Sequence, residues 1–378
     1  MNKKKNFLFL YVIIFSLFAN ASAVYSVSEI VIGEPVVHKL HGLSVKEVIF
    51  TSDSKKLVTC GNDGIINITA VSEEAAKKTM INGGPVNAAA ISPDSRHLVT
   101  AGPDKILKIW DLKTGRLIKA LEESTGNIRS ISFSPSGRFF AAGGRTGVVF
   151  YRLNDYKKIK TLNSGGKQIT SVDFSGDGKR FLSAYGTLFS IREIKDPGPI
   201  DRFFKNDTLA FGEENIYEHN VFVYSASFSP DSYFFVISGE KSFTSMWRSE
   251  DGLLMWNAML SKKDSWDTAF TPDNLFILIG GGEYGIIMAD IVYGQQIAVL
   301  HTEGHNPISL DISDNGRYIA AGFRDGTVKI WPVSGIKKSA PVVLYVSIAA
   351  AAALLLLITG IYYLIKFLRR KRVKNWEV

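Results

Sequence analysis

Residues 89–110 read AAISPDSRHLVTAGPDKILKIW. An anchor at Ile91 is followed by a Ser-Pro-Asp-Ser turn (Ser92 to Ser95), an apolar run, a Gly-containing turn and a second apolar run that closes on Trp110. Pro presets φ for the turn, and Asp, Asn or Gly tolerates the rest of it. Residues 131–151, ISFSPSGRFFAAGGRTGVVFY, repeat the pattern, and it recurs around Phe50, Phe133, Phe174, Phe228, Phe270 and Ile312. The steps between successive anchors are 41, 42, 41, 54, 42 and 42 residues. A period of that length with four strand-like runs per unit predicts a β-propeller, here all-β and seven-bladed. A single four-stranded unit cannot bury both of its faces, whereas stacked neighbours can. Unbroken apolar runs such as Phe139 to Ala142 and Phe234 to Ile237 suit strands covered on both sides.

The ends of the repeat predict how the ring closes. Val36 to Leu40 (VVHKL) is a strand placed before the first full unit, and the last unit stops after its third strand, at Trp331-Pro332-Val333. The early strand should supply the outer strand of the last blade and leave no open edge.

The units resemble WD repeats from about Val36 to Val333. The residues that carry the resemblance are Trp110-Asp111, Trp247, Trp331, His41-Gly42 and Gly304-His305. The resemblance implies a buried His, Ser/Thr, Asp and Trp set within a blade. Blade two keeps Thr100, Asp104 and Trp110 without the His. Blade seven keeps His305, Asp325 and Trp331, with Ala321 in place of the hydroxyl.

Outside the repeat, residues 1–23 (MNKKKNFLFLYVIIFSLFANASA) read as a secretory signal: a Lys triplet, an apolar run and a small-residue cleavage site at Ala21-Ser22-Ala23. Residues 24–35 lead into the propeller at 36–333, and 334–340 link it to a predicted membrane-spanning helix at 341–366. Val342 to Ile365 carries no charge, and at 1.5 Å per residue a helix of that length reaches about 36 Å, enough for about 30 Å of hydrocarbon. Lys366, Arg369, Arg370, Lys371, Arg372 and Lys374 follow it. That bias predicts a cytoplasmic tail at 367–378 and a propeller outside the cytoplasm, with a bacterial inner membrane facing the periplasm as the favoured setting.

The formal charge of +8 is carried by Lys3, Lys4 and Lys5 and by the six basic residues after Ile365, less Glu377. The propeller itself is therefore neutral and carries no nucleic-acid footprint. With Cys60 as the one cysteine, no disulfide can form within the chain, and the size of the propeller lets apolar burial hold it. Cys60 reads as a small buried hydrophobe.

The search for chemistry yields no catalytic set. No nucleophile elbow or Walker sequence is present, and SGGKQIT (Ser164 to Thr170) lacks the flanking residues of a phosphate loop. His301 and His305 in HTEGH stand at strand-to-loop positions, not on a helix, so no metal and no cofactor is expected. Asp53, Asp94, Asp177, Asp231, Asp273 and Asp314 fall at repeat turns, where they should accept local hydrogen bonds.

Partner-binding candidates come from two features. The 54-residue step adds about 12 residues after blade four. If Ile200 to Phe204 is the outer strand, Lys205 to His219 is an added loop on the top face, with Phe203, Phe204, Phe211 and Tyr217 giving it an apolar character. Four residues before each anchor stand Lys46, Asn87, Arg129, Thr170, Tyr224, Trp266 and Ile308. In the resembling family this position opens the inner strand at the top rim and contacts partners. Tyr224, Trp266 and Arg129 are of the types that anchor interfaces. The expected function is a membrane-anchored extracytoplasmic scaffold, not an enzyme, that binds a protein or peptide through the top face. The alternatives are a ligand-binding or enzymatic propeller that uses the central channel, and a receptor with a short cytoplasmic tail.

Overall fold

The computed structural model describes residues 30–71, 77–122, 126–195, 209–219, 221–260, 263–281 and 285–334. Seven antiparallel sheets follow one another around a ring, each with its first strand innermost. In blade two the strands run outward as Ala88–Ile91, His97–Ala101, Ile106–Asp111 and Leu117–Glu122. Burial follows position: the second strand of blade six, Phe276–Gly281, is buried throughout, whereas the outer strand of blade two is almost wholly exposed. Seven apolar clusters fill the ring, one between each pair of neighbouring blades. Phe140, Val149 and Ile131 of blade three meet Val99 and Ile109 of blade two, for example. Cys60 is fully buried in one such layer.

Closure is as the sequence predicts. Val36–Lys39 pairs with Thr327–Ser334, the third strand of blade seven, in the register Val36 to Ile330 and Lys39 to Thr327. A further short strand, Val31–Ile32, extends the pairing along Val333 and Ser334. The repeat turns hold as expected at five positions. Asp53 accepts the Thr51 hydroxyl at 2.6 Å and the Lys55 N–H at 3.0 Å, and Asp94, Asp177, Asp231 and Asp273 do the same in their blades. Asp314 does not. In blade seven the turn is built on Asn315, which accepts from Ser313 at 2.8 Å and from the Arg317 N–H at 2.9 Å. Asn315 of SDNG thus holds the same place, two after the Ser, as the Asp of SPDS, while Asp314 stands at the place of the Pro and lines the lower end of the channel.

Blade four corrects the sequence reading. Its outer strand is Ala210–Glu218, paired with Leu188–Lys195, and not Ile200 to Phe204. The added residues therefore interrupt the turn between the third and fourth strands. In a four-stranded antiparallel blade that turn shares a rim with the first-to-second turn. The opposite rim carries the second-to-third turns and the connections between blades. Lys195 and Ala210, the paired described residues that flank the addition, thus lie toward the lower rim, away from the position expected for it. Among the described residues no helix is long and apolar enough to cross a membrane. The predicted signal at 1–23 and span at 341–366 lie outside the described residues.

Candidate functional site on the upper rim

The inner strands carry a bulge near their upper ends. The register shifts between Val45 and Glu47, Ile169 and Ser171, Val223 and Ser225, Ser265 and Asp267, and Pro307 and Ser309. The skipped residue in each case is the one four before the anchor: Lys46, Thr170, Tyr224, Trp266 and Ile308. A bulge leaves its extra residue outside the ladder and re-aims its side chain. This is the physical reason that the position serves the rim.

Tyr224 and Trp266 come together there. Their rings stack at 4.6 Å and 26°, and Phe222 packs at 5.3 Å from Tyr224. The Arg324 guanidinium, from the second-to-third turn of blade seven, lies 5.1 Å from the centre of the Trp266 ring. A cavity of about 520 Å³ opens beside this plate, walled by Trp266, Asp264, Asn306, Arg324 and Asp325. Arg129 is exposed at the corresponding position of blade three. Lys46 is half-buried at that of blade one. Its burial, followed by the nearby charges of Arg324 and Arg129, holds its ammonium below the usual lysine range.

Phe211 and Tyr217 do not join this plate. Phe203 and Phe204 lie outside the described residues. Phe211 turns inward, 5.0 Å from Phe150 and 6.2 Å from Phe181. Tyr217 stacks on Phe189 at 5.2 Å and sits 5.8 Å from Trp247. Both belong to the outer strand of blade four, where alternate side chains reach the inter-blade layer. Deleting Lys205 to His219 would therefore remove a paired strand and not a loop.

The polar sets within the blades differ from the sequence reading. In blade two, Trp110 Nε1 donates to Thr100 Oγ1 at 2.9 Å, and Thr100 in turn donates to Asn82 at 2.9 Å. Asn82 occupies the place of the missing His, while Asp104 pairs with Lys108 at 2.9 Å. In blade seven Trp331 is buried, but His305 and Asp325 are exposed, and Asp325 is engaged by the Thr327 N–H and hydroxyl. Two sets were missed. Blade one holds His41 between Asp63, 3.0 Å from Nδ1, and Thr59, 2.8 Å from Nε2. Thr69 stands opposite Leu57 where Trp110 stands opposite Leu98, so that a search for the tryptophan passes over this set, which Asn67 completes beside His41. Burial works against the Asp63 carboxylate, yet hydrogen bonds from His41 and the Ile65 and Gly42 N–H groups hold it below the ordinary range. Blade five joins His219 Nε2 to Ser245 at 3.0 Å, with Trp247 Nε1 donating to the same hydroxyl at 2.7 Å. Burial holds this imidazole below the usual histidine range.

Below the rim, side chains three and one before the anchors bridge to the next blade. The Val48 N–H donates to Ser309 at 2.8 Å and the Phe50 N–H to Asp311 at 2.7 Å. Ala226 and Phe228 use Ser171 and Asp173 in the same way, Val172 and Phe174 use Ser130 and Ser132, and Leu310 uses Asp267. These N–H groups face the channel from the free edge of each inner strand and would otherwise lack a partner. Burial pushes Asp173 and Asp267 up to about 6 and Asp311 to about 7, and raises Glu47 well above the usual range. The channel acids are thus consumed in joining blades. No group of three His, Cys, Asp or Glu side chains placed to hold a metal occurs among the described residues.

Residues 77–111, 115–151 and 294–332 match the family model described as WD domain, G-beta repeat. The chain is 28% identical over 148 residues to the WD repeat-containing protein SL1-17 of Schistosoma mansoni, covering 39% of this chain and 45% of that protein. It is 24% identical to the serine-threonine kinase receptor-associated protein of Rattus norvegicus, over 66% of this chain and 69% of the relative. The U3 small nucleolar RNA-associated protein 18 homolog of Arabidopsis thaliana is 32% identical, over 32% of this chain and 22% of its own length. The matched segment thus spans less than half of the Schistosoma protein. With the seven sheets, the repeat matches and relatives support a WD-repeat β-propeller, an architecture typical of protein-interaction scaffolds.

Proposed function

We propose that this chain is a membrane-anchored scaffold, without catalytic activity of its own, that holds a protein partner on the upper rim of a propeller outside the cytoplasm. The observation that carries the reading is the Tyr224–Trp266 stack. Two large rings from adjacent blades are re-aimed by bulges and join none of the seven apolar layers. Paired aromatics beside an arginine are the usual anchors of an interface. The anchoring rests on the lysine-led signal and the apolar run from Val342 to Ile365.

The two parts of the reading fit one geometry. The third strand of blade seven ends at Ser334 on the lower rim. Ser334 to Ala340 spans at most about 24 Å when extended. With the run that follows in a bilayer, the lower rim lies toward the lipid and the upper rim away from it.

Cross-linking of the full chain in its own membranes tests the binding face. Trp266→Ala with Tyr224→Ala should abolish partner capture, at a cost of about 2 kcal/mol or more in binding, while the chain stays folded. Equal capture by variant and parent would move the site off this rim. Protease added to spheroplasts should cut the propeller and spare the tail, and the reverse pattern would overturn the topology.

A further inference from the structure

We infer that the upper rim takes an acidic segment of its protein partner, with carboxylates meeting Lys46, Arg129 and Arg324 and a planar or apolar side chain lying on the Tyr224–Trp266 plate. The inference rests on the reading of the upper rim as the binding face and names the chemistry of what binds there.

Three positive side chains converge on the channel mouth from blades one, three and seven. Lys46 and Arg129 occupy the rim position four before the anchor, and Arg324 reaches across to the Trp266 ring. They are near enough that the charges of Arg324 and Arg129 both act on the Lys46 ammonium. Among the described residues none of the three belongs to an ion pair.

The neighbouring carboxylates are engaged elsewhere. Asp325 is held by Thr327, and Asp264 accepts the Lys241 N–H at 3.0 Å. Glu47, next to Lys46 in the chain, accepts from the Ala89 backbone, and its burial favours the protonated form. Three cations thus stand together at the mouth in no ion pair, with the carboxylates of Asp264 and Asp325 on the wall of the same cavity as partial counter-charges. An incoming carboxylate relieves that repulsion and gains charge-assisted hydrogen bonds.

The plate selects a peptide over a free anion. The cavity of about 520 Å³ beside Trp266 and Arg324 has room for side chains, and its aromatic wall offers nothing to a bare anion. Nucleic acid is disfavoured because positive and negative charges balance over the propeller. A strand of phosphates needs a basic track along its path, and the propeller as a whole is neutral.

The test uses the full chain in detergent and an end-blocked, fluorescein-labelled Gly-Trp-Glu-Glu-Glu-Gly peptide read by anisotropy. The controls are the same peptide with Gln for each Glu, the same peptide with Ala for Trp, and a short single-stranded RNA. The acidic peptide should bind at least about tenfold tighter than the Gln peptide, and the advantage should shrink at high salt. Lys46→Gln with Arg324→Gln should remove the difference between the two peptides. Trp266→Ala should weaken both alike. The salt dependence is read on the unaltered chain, so it stands even if a variant folds poorly. Equal or absent binding of the acidic and Gln peptides overturns the inference, and tighter binding of the RNA overturns it in favour of a nucleic acid. The rim reading is judged separately: partner capture that still depends on Trp266 preserves it, and capture indifferent to Trp266 removes both.

Discussion

Tyr217 and Tyr224 stand seven residues apart and do the same thing geometrically: each lies flat on a second aromatic ring. Tyr217 covers Phe189 at 5.2 Å and 14°, and Tyr224 covers Trp266 at 4.6 Å and 26°. What lies behind the rings differs. Phe189 is fully buried in the layer between blades four and five, with Phe235 and Trp247 around it, so Tyr217 is the outer skin of a core. Trp266 is backed by no such layer and faces Arg324. A stacked pair is not evidence of a binding site in itself. The distinction is whether the inner ring of the pair already has a core to fill.

The largest effect that would break this comparison is on stability. Phe211→Ala with Tyr217→Ala strips the outer strand of blade four from the layers on its two sides and should lower unfolding free energy by about 3 kcal/mol or more, as loss of packed aromatic side chains does. Trp266→Ala with Tyr224→Ala should cost less than about 1 kcal/mol of stability, as partly exposed sites away from a core do. Denaturant midpoints of the full-length variants check both. Equal losses would mean that the rim pair is structural after all.

A smaller contrast of the same kind separates two histidines that the resemblance put in the same role, although His41 precedes its anchor Phe50 by nine residues and His305 precedes Ile312 by seven. His41 is buried between Asp63 and Thr59, so His41→Ala should cost about 1–3 kcal/mol by orphaning a buried hydroxyl and carboxylate. His305 is exposed, and His305→Ala should shift the midpoint by no more than about 0.5 kcal/mol. Similar midpoints for the two variants would show that the blade-one set adds no stability.

The smallest effect sharpens the comparison from the channel side. Asp311 titrates at about 7 and Asp173 and Asp267 at about 6 in the fold, against about 3.9 in an unfolded chain. Their folded values are raised, so between those limits the folded state binds more protons than the unfolded one. Stability contributed by these groups is full below about pH 4 and is lost as pH rises toward 7. Urea midpoints should fall from pH 5 to pH 8, and Asp311→Asn should flatten part of that slope. A midpoint that rises over the same range would show that the inter-blade bridges prefer ionised carboxylates.

What was legible in the sequence follows burial. The anchors, second strands and turn aspartates repeat because each fills a place that every blade must fill. The outer strand of blade four escaped notice because half of it faces water. FGEENIYE carries charges at exposed positions, whereas Ile200 to Phe204, with Ile200, Phe203 and Phe204, looked more like a strand. The blade-one set was hidden because Thr69 stands where other blades have Trp, and Asn67, two residues earlier, closes the set beside His41. The rim pair was legible because a bulge keeps the same offset from the anchor in blade after blade. Arg324 was not, since it arrives from a different turn of a different blade. The inter-blade bridges are short Ser and Asp side chains, and nothing in their identity distinguishes a bridge from an ordinary strand residue.

Blade seven is assembled from two stretches of chain that are made at very different times. Val36–Lys39 emerges first, but its partner, Thr327–Ser334, follows roughly 300 residues later. At about 5–20 residues per second, that strand waits on the order of 15–60 s before anything exists for it to pair with. Its sequence suits the delay. The segment is short and carries His38 and Lys39 at its end, features that discourage a lone strand from pairing with the wrong neighbour. The ring is thus locked by the oldest piece of the propeller and the newest, so that a truncated chain has no way to close.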